Sequence, residues 1–305
     1  MREPSSSNEN RMHDEDRDLM DPDHQMRLPF PEAEDYARQV MRWSRDLATD
    51  SLDVRRDVAY GSHRLHRYDV FGPRGARNAP VVVFWHGGGW TNGYRSYVSF
   101  MAPHLARLGC VLVAPSYRLA PADKLPAAYE DSLAALRHII EHAEAYGADA
   151  RRIHLAGHSA GAHLATLVAL RQADRQRAGI PHDAIRACLP ISGIMDLHHP
   201  QPAAGSLEER IYSMVLRDGR EDAVMSPLCW ASGNTVPICL SFGEFDSARV
   251  RLSNQRLAAL LAQQPGMSSE FMEPGLDHFG THTALQNPDA PWYRRLGQFL
   301  RGAQR

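Results

Sequence analysis

Short runs of strand-forming residues alternate along this chain with helical segments. Seven strand-like runs lie at 65–71, 81–85, 110–115, 152–157, 184–193, 236–243 and 268–274. Helical segments lie between many of them, at about 98–108, 127–146, 160–172, 248–264 and 292–301. Several runs lack polar alternation, as expected for strands that helices cover on both faces. The alternation predicts an α/β fold with a mostly parallel central sheet, and a ligand site beyond the carboxyl ends of its strands.

The beginning of the chain differs from the rest. Residues 1–28 are polar and charged, with little apolar surface to bury, and are predicted to form a disordered or loosely docked arm. Apolar residues then recur at helical spacing, at Tyr36, Val40, Trp43 and Leu47. Because no repeat and no long linker follows, residues 29–305 are predicted to form a single domain.

Composition argues against several kinds of partner. A net charge of −2 over 305 residues gives no electrostatic reason to expect nucleic acid or an anionic membrane surface. No run approaches the roughly 20 apolar residues of a membrane span, and the N-terminus lacks the apolar segment of a secretory signal. The widely spaced cysteines are expected to be buried free thiols of a reducing compartment: Cys110, Cys188, Cys229 and Cys239. A cytoplasmic location is therefore expected, and a homodimer stays open.

The stretch LAGHSAGAHLA (155–165) places Ser159 between Gly157 and Gly161, after an apolar strand and at the start of an apolar helix. This is the G-x-S-x-G nucleophile elbow in the strand–turn–helix context that it requires. A strained turn projects the serine hydroxyl, and a side chain at either glycine would collide with neighbouring backbone. The helix offers free N–H groups to a developing anion. A phosphate-binding loop is excluded because no Gly-Lys-Ser/Thr follows.

A serine nucleophile needs a base and a carboxylate that orients the base. In this context the acid and then the histidine follow the serine along the chain. Asp246 and His278 each lie just past the end of a predicted strand, on the same sheet edge as Ser159. We therefore predict Ser159, Asp246 and His278 as the catalytic residues. Glu244, two residues before Asp246, stays open as an alternative acid.

Two further residues near His278 are assigned other roles. Asp277 is expected to cap its loop, because adjacent side chains rarely point at one another. His282 would share a face with His278 if the segment were helical, a spacing that can suit a metal. No glutamate lies within that pair and no third ligand is evident, so a zinc site is not expected. The sequence predicts no metal and no cofactor.

The glycines of HGGGW (86–90) follow the apolar run VVVFW. Acyl transfer through serine develops negative charge on the substrate carbonyl oxygen, and backbone donors must be aimed at that oxygen in advance. Glycines let the backbone approach the substrate closely. We predict Gly88 and Gly89 as oxyanion-hole residues, together with the N–H of Ala160. Two flanking residues are expected to support the loop or wall the pocket: His86 and Trp90.

These motifs resemble those of α/β-hydrolase-fold serine hydrolases, in particular the hormone-sensitive-lipase-like esterases and the kynurenine formamidase (arylformamidase) group. The resemblance runs from about Asp57 to the C-terminus and includes HGGGW and the segment at 115–136. His158, where lipase-like esterases usually carry an acidic residue, favours the formamidase group, as do SGIMDL (192–197) and LDHF (276–279). The triple glycine is the esterase form, because the formamidase loop commonly has a bulkier residue at the position of Gly89.

The resemblance implies a small cap over the carboxyl edge of the sheet, built from about 29–56 and 194–233. Four residues of the second segment are candidates for the pocket wall: Met195, Tyr212, Met214 and Trp230. The predicted function is cofactor-free hydrolysis of a small carboxylic ester or an aryl formamide through an acyl-enzyme. Two alternatives stay open. One is a non-catalytic ligand-binding protein on the same fold, and the other is a lactonase or peptidase that uses the same triad.

Overall fold

An eight-stranded sheet forms the centre of the protein. The computed structural model describes residues 25–26 and 31–302, so the predicted arm lies almost entirely outside the described residues. The strands are β1 (Leu52–Ala59), β2 (Arg67–Pro73), β3 (Ala79–Trp85), β4 (Val111–Pro115), β5 (Ala148–His158), β6 (Ile185–Ile191), β7 (Ile238–Gly243) and β8 (Ser268–Glu273). All seven predicted strands are among them.

The strand order is β1-β2-β4-β3-β5-β6-β7-β8. β2 runs antiparallel to both of its neighbours, and the other neighbouring strands pair in parallel. The mostly parallel sheet predicted from the sequence is thereby confirmed. Because β5, β7 and β8 are parallel, their carboxyl ends meet at one edge, and each of them precedes a predicted catalytic residue.

β1 is absent from the sequence prediction, which assigned residues up to 56 to the cap. Residues 52–56 instead belong to this strand, at the edge of the sheet. An edge strand pairs on one side only, and β1 is correspondingly charged and mostly solvent-accessible, with Leu52 as its buried residue. Its pairing register also shifts between Arg55 and Val58. A bulge of this kind interrupts the two-residue period by which strands are found in sequences.

Helices cover both faces of the sheet, as predicted. The helices are α1 (Pro31–Arg45), α2 (Ala102–Arg107), α3 (Ala127–His142), α4 (Ala160–Leu170), α5 (Gln172–Arg177), α6 (Leu207–Arg210), α7 (Ala248–Leu261), α8 (Gly280–Thr283) and α9 (Pro291–Gly302). Helices α3, α4 and α7 pack on one face, and α1, α2 and α9 pack on the other. Short 3₁₀ segments precede α2 at Arg95–Met101 and follow α3 at Ala143–Tyr146.

β3 shows why its sequence reads as a continuous apolar run. All seven of its residues are buried. Val81 and Val83 contribute to the core on one face, and Val82 and Phe84 contribute to the core on the other. Successive side chains of a strand point to opposite faces, so a strand covered on both sides needs apolar residues at every position.

The cysteines carry free thiols, as expected, but they are not all buried. Cys110, Cys188 and Cys239 are buried, whereas Cys229 is exposed because it lies in a 3₁₀ turn at the surface. Within the described ranges, no helix combines the length and the apolar character needed to cross a membrane.

Candidate active site

Ser159 occupies the turn between β5 and α4. Its backbone has a φ of 54° and a ψ of −118°, which is unusual for a residue other than glycine. The Ser159 N–H donates to the carbonyl of Ile191 at 2.9 Å and anchors the turn to β6. A Cβ on Gly157 would lie 2.4 Å from the carbonyl carbon of Gly161, and one on Gly161 would lie 2.1 Å from the carbonyl oxygen of Trp85. Only glycine fits these two positions.

The loops after β7 and β8 bring a carboxylate and a histidine to this turn. His278 Nε2 lies 2.9 Å from Ser159 Oγ, and His278 Nδ1 lies 2.6 Å from Asp246 Oδ1. With Nδ1–H donating to the carboxylate, Nε2 is free to accept the serine proton. The structure thus brings together the three residues predicted as catalytic, in the order serine, imidazole, carboxylate.

The Asp246 carboxylate is buried and held by several donors. Its Oδ2 accepts the Ser192 hydroxyl at 2.6 Å and the Gly243 N–H at 2.8 Å, while Oδ1 faces His278. Burial raises the pKa of this carboxyl, but the hydrogen bond and charge of His278 and the donors Ser192 and Gly243 outweigh burial, so the pKa lies below its ordinary value. Asp246 is therefore ionised at neutral pH. Ser192 was not predicted, although its position just past β6 places it on the same sheet edge.

The competing carboxylates point elsewhere. Glu244 Oε2 accepts the N–H of Gly275 at 2.9 Å, and Asp277 Oδ1 accepts the N–H of Gly280 at 2.6 Å. Both side chains therefore satisfy loop backbone. Asp277 has the loop-capping contact expected of it, and Glu244 is engaged away from the imidazole.

The glycine loop beside Ser159 has a backbone that few other residues could adopt. Gly88 has a φ of 125°, Gly89 of 59° and Trp90 of 61°. A Cβ on Gly88 would lie 2.2 Å from the carbonyl oxygen of Asn92. Both glycines line the same cavity as Ser159. Ala160 is the first residue of α4, where N–H groups lack a partner within the helix.

Two buried histidines hold this loop in place. His86 Nδ1–H donates to the Gly87 carbonyl at 2.8 Å, and its ring stacks on Tyr117 with centroids 4.3 Å apart. Trp90 Nε1–H donates to His163 Nδ1 at 3.3 Å, and His163 Nε2–H donates to the Met225 carbonyl at 2.6 Å. Trp90 also lines the cavity. His163 was not predicted, and its place in the helix after the elbow is the signal that could have indicated it.

A cavity of about 380 Å³ opens above Ser159. Its walls come from the N-terminal part of the chain, the glycine loop, the segment after β6 and the loops that carry Asp246 and His278. Aromatic residues are prominent in these walls: Tyr36, Trp90, Tyr97, Phe245 and Phe279. Most of this surface is apolar, as is typical of pockets that bind small organic molecules.

The prediction that four residues of the second cap segment are candidates for the pocket wall is wrong. None of Met195, Tyr212, Met214 and Trp230 lines this cavity, and the segment contributes Ile194 and Leu207 instead. The reasons are local. Met195 is fully buried in the core, Tyr212 bonds to Asp222, and the guanidinium of Arg171 covers the ring of Trp230.

The side chain of His282 contacts Tyr36 and His158. Its Nδ1 lies 2.7 Å from the Tyr36 hydroxyl oxygen, and its ring stacks on His158 with centroids 5.0 Å apart. In the part of the chain that the structure describes, no group of three or more histidine, cysteine, aspartate or glutamate side chains is placed to hold a metal ion.

Comparison with known proteins places the chain in a family. The profile of the alpha/beta hydrolase fold family matches residues 82–278, which is more than half of the chain. The protein therefore belongs to the alpha/beta hydrolase family. The resemblance to the lipase-like esterases agrees with this assignment, whereas the resemblance to the formamidase group stays a prediction.

Individual relatives match shorter stretches. The chain is 34% identical over 130 residues to a probable isoprenylcysteine alpha-carbonyl methylesterase of Oryza sativa, covering 42% of this chain and 31% of that protein. It is 41% identical over 93 residues to carboxylesterase NlhH of Mycobacterium tuberculosis, covering 30% of this chain and 29% of that protein. The match thus spans less than a third of either relative's length. The solved structure of EstE1, a thermophilic carboxylesterase from a metagenomic library, has a TM-score of 0.68 at 24% identity, over 87% of this chain and 94% of that one, a likeness that shows the fold.

The buried histidines around the site predict acid-sensitive stability. Burial lowers the pKa of His86 and His163 to about 4 and of His282 to about 3, and burial with the charges of His278 and His282 lowers that of His158 far below its ordinary value. The unfolded chain binds protons at these residues near pH 6.5, whereas the folded protein binds them only at lower pH, about 4 for His86 and His163. The free energy of unfolding should therefore fall as pH drops through this window, by about 1 kcal/mol per histidine between pH 7 and 5.5.

Urea unfolding of the parent and of His163→Gln at both pH values tests this. Removal of His163 should reduce the difference between the free energies of unfolding at pH 7 and at pH 5.5 by about 1 kcal/mol. His182→Gln is the matched control, because its side chain is 80% exposed, and it should leave the difference unchanged. An equal difference in parent and His163→Gln would contradict the prediction.

Proposed function

We propose that this protein is a serine hydrolase that cleaves small carboxylic esters through an acyl-enzyme. One observation carries the proposal. Ser159 Oγ is hydrogen-bonded to His278 Nε2 at 2.9 Å, and His278 Nδ1 is hydrogen-bonded to Asp246 Oδ1 at 2.6 Å, at the floor of an apolar cavity. A serine hydroxyl becomes a useful nucleophile when a base accepts its proton and a carboxylate fixes that base. The names of the matched relatives, a methylesterase and a carboxylesterase, support the ester class.

In the proposed reaction, Ser159 Oγ attacks the substrate carbonyl carbon while its proton passes to His278 Nε2. Negative charge moves to the carbonyl oxygen, where the N–H groups of Gly88, Gly89 and Ala160 would bind it. Collapse of the tetrahedral intermediate breaks the bond to the leaving group, which takes the proton from His278. Water then gives a proton to the same histidine and attacks the acyl carbon. The bond between that carbon and Ser159 Oγ breaks, Oγ takes the proton back from His278, and the acid is released.

The shape of the cavity supports a small substrate. Its volume of about 380 Å³ lies near the lower end of the roughly 300–1,000 Å³ typical of ligand pockets. We assign its cover to α1 and to the segment 194–233, because Tyr36, Ile194 and Leu207 line it. We expect short acyl and alcohol groups to be better substrates than long chains.

An aryl formamide is a second candidate substrate, favoured by the aromatic walls. Tyr36 stacks on Phe279 with ring centroids 5.0 Å apart, and both rings line the cavity beside His278. Flat aromatic surfaces of this kind suit an aryl leaving group. His158 in the elbow is the sequence feature in favour of the same candidate.

Replacement of Ser159 by alanine tests the proposal. Turnover of p-nitrophenyl butyrate should fall on the order of 10⁶-fold, because the nucleophile is lost while the fold remains. A fluorophosphonate probe should label the parent and not the variant. An inactive parent that still binds esters would instead support a non-catalytic binding protein.

A panel of p-nitrophenyl esters of increasing chain length, run beside N-formylkynurenine and a lactone, then ranks the substrate classes.

Replacement of Asp246 by asparagine should reduce turnover on the order of 10⁴-fold, because the imidazole loses the partner that fixes its tautomer. Glu244→Gln is the matched control. Its carboxylate accepts the N–H of Gly275 and does not face His278, so the loss should be small. A larger loss in Glu244→Gln than in Asp246→Asn would assign the acid to Glu244.

A further inference from the structure

The side chain of His158 contacts the loop that carries His278 and the glycine loop at Gly87. It is the last residue of β5, directly before Ser159, and it is buried. Its Nε2 lies 2.8 Å from the main-chain oxygen of His278. A carbonyl oxygen only accepts, so Nε2 carries the ring proton. On its other side, Nδ1 faces Gly87 so closely that a Cβ there would lie 2.9 Å away.

His282 and Tyr36 fix the ring of His158. The two imidazoles are nearly parallel, with centroids 5.0 Å and planes 10° apart. The Tyr36 hydroxyl oxygen and His282 Nδ1 are hydrogen-bonded at 2.7 Å. All three side chains are buried. Since a packed ring with a bonded neighbour has little freedom to rotate, the direction of the His158 Nε2–H bond is set by its surroundings.

The charge of His158 is consistent with a role beside the base. Burial and the neighbouring His278 and His282 lower its pKa far below the ordinary value, so the ring is neutral at neutral pH. A neutral donor can hold the main chain of His278 without opposing the imidazolium that forms there during the reaction. A second cation at this distance would oppose it.

We propose that His158 is a positioning residue for His278: its hydrogen bond to the main-chain oxygen of His278 keeps the imidazole of that residue aligned on Ser159 Oγ. Thr281 Oγ1–H donates to the same oxygen at 2.7 Å, so the oxygen is held from two sides. The kinetic consequence rests on the proposed function, whereas the alignment itself exists without substrate.

Three substitutions separate this role from general packing. Gln places an amide N–H near the position of His Nε2, whereas Asn is too short to reach it, and Leu has no donor. His158→Asn and His158→Leu should lower kcat on p-nitrophenyl butyrate by up to about 10²-fold, as expected for misplacement of a catalytic group by about 1 Å. KM should change little, and His158→Gln should retain most of the parent kcat. A loss of packing alone would affect Gln and Leu alike, because these two side chains are similar in size.

A spectroscopic measurement reports the alignment independently of activity. The His278 Nδ1–H proton, bonded to Asp246, should give a downfield ¹H NMR resonance in the parent and in His158→Gln. It should shift or broaden in His158→Asn and His158→Leu, with thermal melts showing that each variant is folded. Parent-like kcat or an unchanged resonance in the folded Asn and Leu variants would overturn the proposal. An inactive parent whose resonance responds to these substitutions would count against the proposed function and uphold the positioning role.

Discussion

The backbone at Ser159 has a φ that costs a residue other than glycine roughly 1–3 kcal/mol, and the neighbouring structure is arranged to hold it there. The Ile191 carbonyl binds the Ser159 N–H. The close approach of β5 to α4 leaves no room for a side chain at Gly157, and the close approach of α4 to the end of β3 leaves none at Gly161. The same turn starts α4, so Ala160 is the first residue of a helix whose first N–H groups lack a partner within the helix. The strained turn therefore places the serine hydroxyl beside the start of this helix.

Electrostatically, the buried carboxylate of Asp246 is the central group of the site. Asp246 is held ionised by His278, Ser192 and Gly243, and the nearby imidazoles of His158 and His282 remain neutral. Proton transfer to His278 would therefore create a cation beside the ionised carboxylate of Asp246. Charge separation of this kind is stabilised more strongly in a buried site than in water, because the local dielectric response is weaker.

The sequence predicts the parallel sheet and the positions of Ser159, Asp246 and His278 because strand ends and glycine spacing are local patterns. It does not predict β1, whose charged residues and shifted register hide the strand period. The cavity wall was also assigned to the wrong residues, such as Met195, because side-chain direction in an irregular segment depends on packing. The contact between His158 and the loop of His278 joins residues 120 positions apart, and no local pattern could indicate it.

In the proposed reaction, Ser159 attacks with its oxyanion donors already in place. A crystal structure of the protein inactivated by a p-nitrophenyl phosphonate tests it most directly. We expect phosphorus bonded to Ser159 Oγ, with the phosphoryl oxygen about 2.7–3.1 Å from the N atoms of Ala160 and of Gly88 or Gly89. An adduct on another residue, or a phosphoryl oxygen directed away from these N–H groups, would contradict it.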